Sequence, residues 1–152
     1  DIFKCFDQAM RPLTYELLKA AGMPDKIIKP YIDFQERLKA YNTIAGGIGK
    51  PFQKPTSIPQ GDPLSMMVVA LLMRAWVLQM KSLDVKPRVL ADDLQVIAIG
   101  PNHLPHFVAA FDATHSHLEA MGAKLAPQKS VTFSSNGTAR NWLRQHQWRR
   151  VG

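Results

Sequence analysis

At 152 residues, with 46% hydrophobic and 20% charged residues, the chain has the size and composition of one folded domain, which excludes a disordered protein. Its single cysteine, Cys5, excludes an internal disulfide and fits a reducing, intracellular setting; no signal peptide is visible at the start. The net charge of +7 is unevenly spread: from Ala120 to Gly152 there is no Asp or Glu, but there are Lys124, Lys129, Arg140, Arg144, Arg149 and Arg150.

In chain order, Ala9 to Ala21 reads as a helix with Leu13, Leu17, Leu18 and Ala21 on one side and Gly22 as its stop. Pro24 to Tyr41 reads as a second helix, its apolar side made of Ile27, Ile28, Tyr31, Ile32, Phe34 and Leu38, with Pro30 as a point of kinking. Lys39 to Pro55 reads as a hairpin around Gly46-Gly47-Ile48-Gly49. These glycines are not a phosphate cradle, since the Lys-Ser/Thr ending of a P-loop is missing. Asp62 stands as the N-cap and Pro63 in the first turn of a long apolar helix reaching Lys81. Arg74 interrupts that stretch, which favours a buried helix over a membrane span, and no membrane partner is expected.

The run from Pro87 to Ile99 carries apolar residues, many β-branched, on both sides of Asp92-Asp93, which predicts two strands joined by a tight turn. A helix from Leu104 to about Met121 follows, then one or two strands within Lys124 to Ser135. In the basic end, Trp142, His146 and Trp148 lie among the arginines. That pattern suits a phosphate backbone and stacked bases, and equally a surface helix whose tryptophans pack on protein. The Asp-Asp pair likewise has two readings. It is either a solvated turn or a site whose mutual repulsion is relieved by a hard divalent cation, Mg²⁺ or Mn²⁺.

Three segments taken together carry a sharper signal. Asp1-Ile2-Phe3-Lys4-Cys5-Phe6-Asp7, then Pro59-Gln60-Gly61-Asp62-Pro63-Leu64-Ser65, then Leu90-Ala91-Asp92-Asp93 occur in the order of motifs A, B and C of the reverse transcriptase palm. The chain resembles that family from residue 1 to about residue 135. The fold so implied is α+β: a polymerase palm of antiparallel sheet packed on helices, with part of the fingers. As domains, the resemblance implies one fragment over 1–152, with 8–57 partly fingers-like, 1–7 and 58–135 palm, and 136–152 a basic tail. It also implies truncation at both ends, with further fingers and the thumb as missing partners.

The resemblance assigns roles residue by residue. Asp1 and Asp92 are the bridging ligands of two Mg²⁺ or Mn²⁺ ions, Asp93 a weaker ligand, and the Ile2 carbonyl an added oxygen. The carboxylates of Asp1 and Asp92 are expected about 4–7 Å apart. Phe6 lies beneath the sugar of the incoming nucleotide, where its ring clashes with a 2′-hydroxyl; without the motif it reads as a core phenylalanine. Gln60 and Gly61 form the turn that approaches template and nascent base pair. Lys129, in Gly122-Ala123-Lys124-Leu125-Ala126-Pro127-Gln128-Lys129, matches the motif D lysine that protonates the leaving pyrophosphate. Arg140, Arg144, Arg149 and Arg150 are candidate nucleic-acid contacts.

There are departures from the pattern. Leu90 replaces the usual aromatic, Ala126 and Ser130 stand where Asn and Thr are common, and Asp62 stands where Ser is frequent. Gln-Gly-Asp-Pro-Leu is similar to non-LTR (LINE-type) retroelements, preferred here over group II intron enzymes. Against a viral RNA-directed RNA polymerase stand Phe6, Ala91 and the lack of Asn in the motif B helix. The implied activity is RNA-directed DNA polymerisation, with RNA template, DNA primer and deoxynucleoside triphosphates as partners, in an intracellular setting that is nuclear if the element is eukaryotic. The alternative is an inactive relic that keeps the fold, and the 152-residue piece alone is expected not to extend a primer.

Overall fold

The computed structural model describes Ile2, residues 4–59 and residues 61–148. Its elements are helices α1 (Cys5–Gln8), α2 (Arg11–Ala20) and α3 (Asp25–Arg37), strands β1 (Thr43–Ile44) and β2 (Gly47–Ile48), helix α4 (Ser65–Ser82), strands β3 (Lys86–Leu90) and β4 (Asp93–Ile97), and helices α5 (His103–Ala120) and α6 (Gly137–Gln145). The fold is thus α+β, helices with two small antiparallel sheets. The chain forms two compact units, one of residues 6–72 and one of residues 1–5 with 73–152. Among the described residues no helix is long and apolar enough to cross a membrane.

In the first unit, α2 has Pro12 in its first turn, where a missing N–H costs nothing, and ends in a Schellman arrangement. The Met23 N–H donates to the Leu18 carbonyl (3.1 Å) and the Gly22 N–H to the Lys19 carbonyl (2.9 Å), with Gly22 at φ +82°. The buried face differs from the expected one. It is Arg11, Thr14, Tyr15 and Leu18, while Ala21 is exposed. Hydrogen bonds to distant residues let Arg11 and Tyr15 go inside, and no local periodicity reveals that.

Helix α3 stops at Arg37, four residues short of the expected end at Tyr41. Its continuation is drawn off into extended chain, because Ala40 and Phe52 exchange both backbone hydrogen bonds (2.8 and 2.9 Å). Its buried face is Ile28, Tyr31 and Gln35; Ile27 and Phe34 are exposed. The predicted glycine hairpin is present, with Thr43 opposite Ile48 and a two-residue turn of Ala45 (φ 49°) and Gly46 (φ 82°).

The second unit is built on the C-terminal half of α4, the β3–β4 hairpin and α5. Trp76, Met80, Val85 and Ala110 form its buried cluster, and Val89, Leu94 and Val96 of the hairpin pack against it. The indole N–H of Trp76 donates to Thr114 Oγ1 (2.9 Å), whose hydroxyl donates to the Ala110 carbonyl (2.7 Å), so the buried indole keeps a partner. The expected strands within 124–135 are not formed. The segment holds one bridge, Ile2 with Leu125, then a 3₁₀ turn at Pro127–Lys129, and an extended stretch in which Val131 and Phe133 are 84% and 80% exposed. Pro127 has no donor for a ladder and its fixed φ suits the turn instead.

Candidate active site

The hairpin places the acidic pair at its tip. The ladder runs from Lys86 opposite Ile97 to Leu90 opposite Asp93, leaving Ala91 and Asp92 as the two-residue turn. Ala91 takes a left-handed φ of 54°, the sign that two-residue hairpin turns require to match strand twist. Asp92 is half-buried. Asp93 is exposed, on the strand face opposite Leu94 and Val96, and Leu90, in the place of the usual aromatic, faces solvent.

Motif A approaches this tip through its described residues. Ile2 is buried and bridges Leu125, and the Cys5 thiol is buried. Burial first, and then the negative charge of Asp92, push that thiol from 9.0 up to about 11. Cys5 is therefore within the field of Asp92, although 87 positions separate them (92 − 5). Asp1 itself lies outside the described residues, so the expected Asp1–Asp92 separation does too.

Among the described residues neither carboxylate of the acidic pair takes part in an ion pair, and no group of three His, Cys, Asp or Glu side chains forms a cation site. The chemistry of the donors fits a hard divalent ion all the same. Two adjacent carboxylates at a hairpin tip, one half-buried and one exposed, are the oxygen ligands such ions take.

Lys129 ends the 3₁₀ turn and is exposed. Together with Asp93 it lines a cavity of about 670 Å³ that runs along β4 and is walled by Phe107 and Phe111 of α5 and by the Val131–Ser135 segment. The basic end also meets this cavity. Helix α6 is capped by Asn136, whose Oδ1 accepts the Ala139 N–H (3.0 Å), and it presents Arg140 and Arg144 to solvent. One nitrogen of Arg140 donates to the carbonyls of Ser134 and Ser135 (3.1 and 3.2 Å). Trp142 stacks on His146 at 4.2 Å, and Trp148 packs on Phe111 at 4.3 Å. These tryptophans therefore have partners within the chain. Arg149 and Arg150 lie outside the described residues.

Phe6 and Gly61 belong to the unit of residues 6–72. Phe6 is half-buried on α1, and its carbonyl accepts the Ile58 N–H (2.8 Å), which ties motif A to the lead-in of motif B. Gly61 stands at φ +89° with nothing within 4 Å of the position a Cβ would take, so its conformation, not crowding from the chain, calls for glycine. Gln60 is outside the described residues. Asp62 accepts the Leu64 N–H on Oδ1 (2.8 Å) in the turn before α4; because α4 begins at Ser65, Asp62 and Pro63 stand ahead of the helix and not at its expected cap and first turn.

The model of one family, described as Reverse transcriptase (RNA-dependent DNA polymerase), matches residues 1–151. The chain belongs to the reverse transcriptase family. Comparison with curated proteins returns no match. Reverse transcriptase domains bind template, primer and deoxynucleoside triphosphates, and generally use divalent metal ions. Three residues near these motifs escaped the sequence reading: Cys5 beside Asp92, and Tyr31 and Gln35 beside Asp62. Only the i, i+4 placement of Tyr31 and Gln35 on one helix face hinted at a shared target.

Proposed function

We propose that this chain supplies the palm of a retroelement RNA-directed DNA polymerase, of non-LTR type, that extends a DNA primer on RNA with deoxynucleotides. The observation that carries the reading is the convergence of motif A on motif C, with Cys5 lying in the field of Asp92 at the hairpin tip. Asp92 and Asp93, with Asp1 and the Ile2 carbonyl, would hold two Mg²⁺ or Mn²⁺ ions. When bound, such ions offset the charge that develops as a 3′-hydroxyl attacks the α-phosphate. Phe6 would lie against the sugar and exclude a 2′-hydroxyl. Gln60 and the open face of Gly61 would receive the template and nascent pair. Lys129, on the same cavity wall as Asp93, would hand a proton to the departing pyrophosphate. Arg140, Arg144, Arg149 and Arg150 would meet the backbone of the duplex. In domain terms, residues 1–7 and 58–135 serve as palm, 8–57 partly as fingers and 136–152 as a basic tail.

The test pairs metal binding with primer extension. Titration calorimetry with Mg²⁺ and Mn²⁺ should show binding to the chain that Asp92→Asn and Asp93→Asn each weaken. Primer extension on an RNA template by the protein carrying this chain should require deoxynucleotides and stop with Asp92→Ala. Metal binding indifferent to both aspartates, or extension that survives Asp92→Ala, would sink the assignment.

A further inference from the structure

The segment that brackets Gln60 and Gly61 is fastened at both ends to the helices before it. Upstream, the buried Arg11 donates from Nε to the Ser57 carbonyl (3.2 Å) and from Nη1 to the Gln35 carbonyl (2.7 Å). The Ser57 N–H donates to the Ala9 carbonyl (3.0 Å), and Ser57 is held at φ 99°, a region that residues with a Cβ avoid. Downstream, Asp62 Oδ2 accepts two side-chain donors, the Tyr31 hydroxyl and Gln35 Nε2, each at 2.8 Å. Gln35 belongs to both fastenings. Its backbone carbonyl takes Arg11 and its side chain reaches Asp62.

Packing alone does not explain a glutamine here. Gln35 is 2% exposed, and its Oε1 is buried without a hydrogen-bond partner among the described residues. An apolar side chain of similar volume would fill α3's inner face without an unsatisfied acceptor. What glutamine adds is direction, since one amide N–H fixes one carboxylate oxygen. Tyr31 adds a second fixed donor. Burial, and then its bond to Asp62, hold its hydroxyl well above the usual tyrosine range, so it donates throughout the working pH range. Between the two fastenings, Gly61 is exposed and has open space on its Cβ side.

We propose that Gln35 and Tyr31 are positioning residues that set the turn at Gly61, through Asp62, in the conformation that receives the template–primer and incoming nucleotide. The inference rests on the polymerase reading for what the turn receives, but the clamp itself does not.

The test uses the full chain and four variants. Gln35→Met keeps the volume and removes the donor, Tyr31→Phe removes only the hydroxyl, and Gln35→Glu sets a second carboxylate against Asp62. Gln35→Glu combined with Asp62→Asn rebuilds the bond with donor and acceptor exchanged. Amide hydrogen exchange at Gly61 and Leu64 should accelerate about tenfold in Gln35→Met and Gln35→Glu, less in Tyr31→Phe, and return towards the unaltered rate in the paired variant. Exchange in the Lys86–Ile97 hairpin should not change. Affinity for a labelled RNA–DNA template–primer with Mg²⁺ and a deoxynucleotide, read by anisotropy, should fall about tenfold and be rescued in the same order. Exchange that does not accelerate overturns the clamp. Faster exchange with affinity intact, or no rescue by the paired variant, overturns the positioning role. If the protein carrying the unaltered chain binds no template–primer, the polymerase reading falls and the positioning role with it, and exchange still decides the clamp.

Discussion

Cys5 gives the acidic hairpin tip a chemical readout. Its thiol titrates at about 11 in the folded chain against 9.0 for an ordinary cysteine, because burial and then the Asp92 charge disfavour the thiolate. A folded-state pKa raised this way contributes stability that is complete below pH 9 and is lost as pH rises towards 11. The loss is on the order of 2–3 kcal/mol at the alkaline end. Thiol alkylation of the native chain should accordingly be slow at pH 8–9. Asp92→Asn should speed it at constant fold, and an unchanged rate would leave burial as the sole cause. At Phe6, replacement by Val in a polymerase carrying this chain should raise ribonucleotide incorporation and spare deoxynucleotide use, as primer extension with mixed nucleotides would reveal; unchanged discrimination would make Phe6 a packing residue. The family was legible because three motifs in the right order sufficed to point to it. Arg11, Tyr31 and Gln35 were not, because the groups they hold lie 24 to 46 positions away, where no local pattern reaches.

Helices and hairpins followed from apolar periodicity and from the glycines and prolines that stop or start them. The α2 stop at Gly22 stands where the sequence places it, while the hairpin turn falls on Ala91-Asp92, one residue earlier than the expected Asp92-Asp93, with Asp93 opening β4. The error at 124–135 has the opposite character: residues suited to strands, Val131 and Phe133 among them, have no neighbouring strand among the described residues to pair with. Element formation there depends on a partner, which composition does not encode. Two substitutions probe the stops and turns. Gly22→Ala meets no steric obstacle, so its cost, about 1 kcal/mol, should come entirely from the left-handed φ. Ala91→Gly should do the reverse and stabilise the hairpin by roughly 0.5–1 kcal/mol, since glycine accepts φ 54° freely. Denaturant unfolding measures both, and a stabilising Gly22→Ala or a destabilising Ala91→Gly would contradict the backbone account.

On the scale of the whole molecule, the charge of +7 gathers towards residues 120–152, which have no acidic residue to offset it. Nucleic-acid binding should therefore weaken steeply with salt, as neutralised phosphates release counterions. Changing Arg140, Arg144, Arg149 and Arg150 to Ala together should flatten the log–log slope by up to about 3–4. Arg140 also holds the Ser134 and Ser135 carbonyls, so Arg140→Lys serves as the control that keeps charge while loosening that loop. An identical slope would place the contacts elsewhere. The enclosure of Trp76, at 0% exposure, has an optical consequence. Of the three tryptophans it alone is sealed from solvent, while Trp142 and Trp148 are partly open. A collisional quencher such as acrylamide should extinguish the emission of the latter two and leave a blue-shifted residue from Trp76. That residual glow is a built-in gauge of whether the core under the β3–β4 hairpin has opened, readable in any variant without a label.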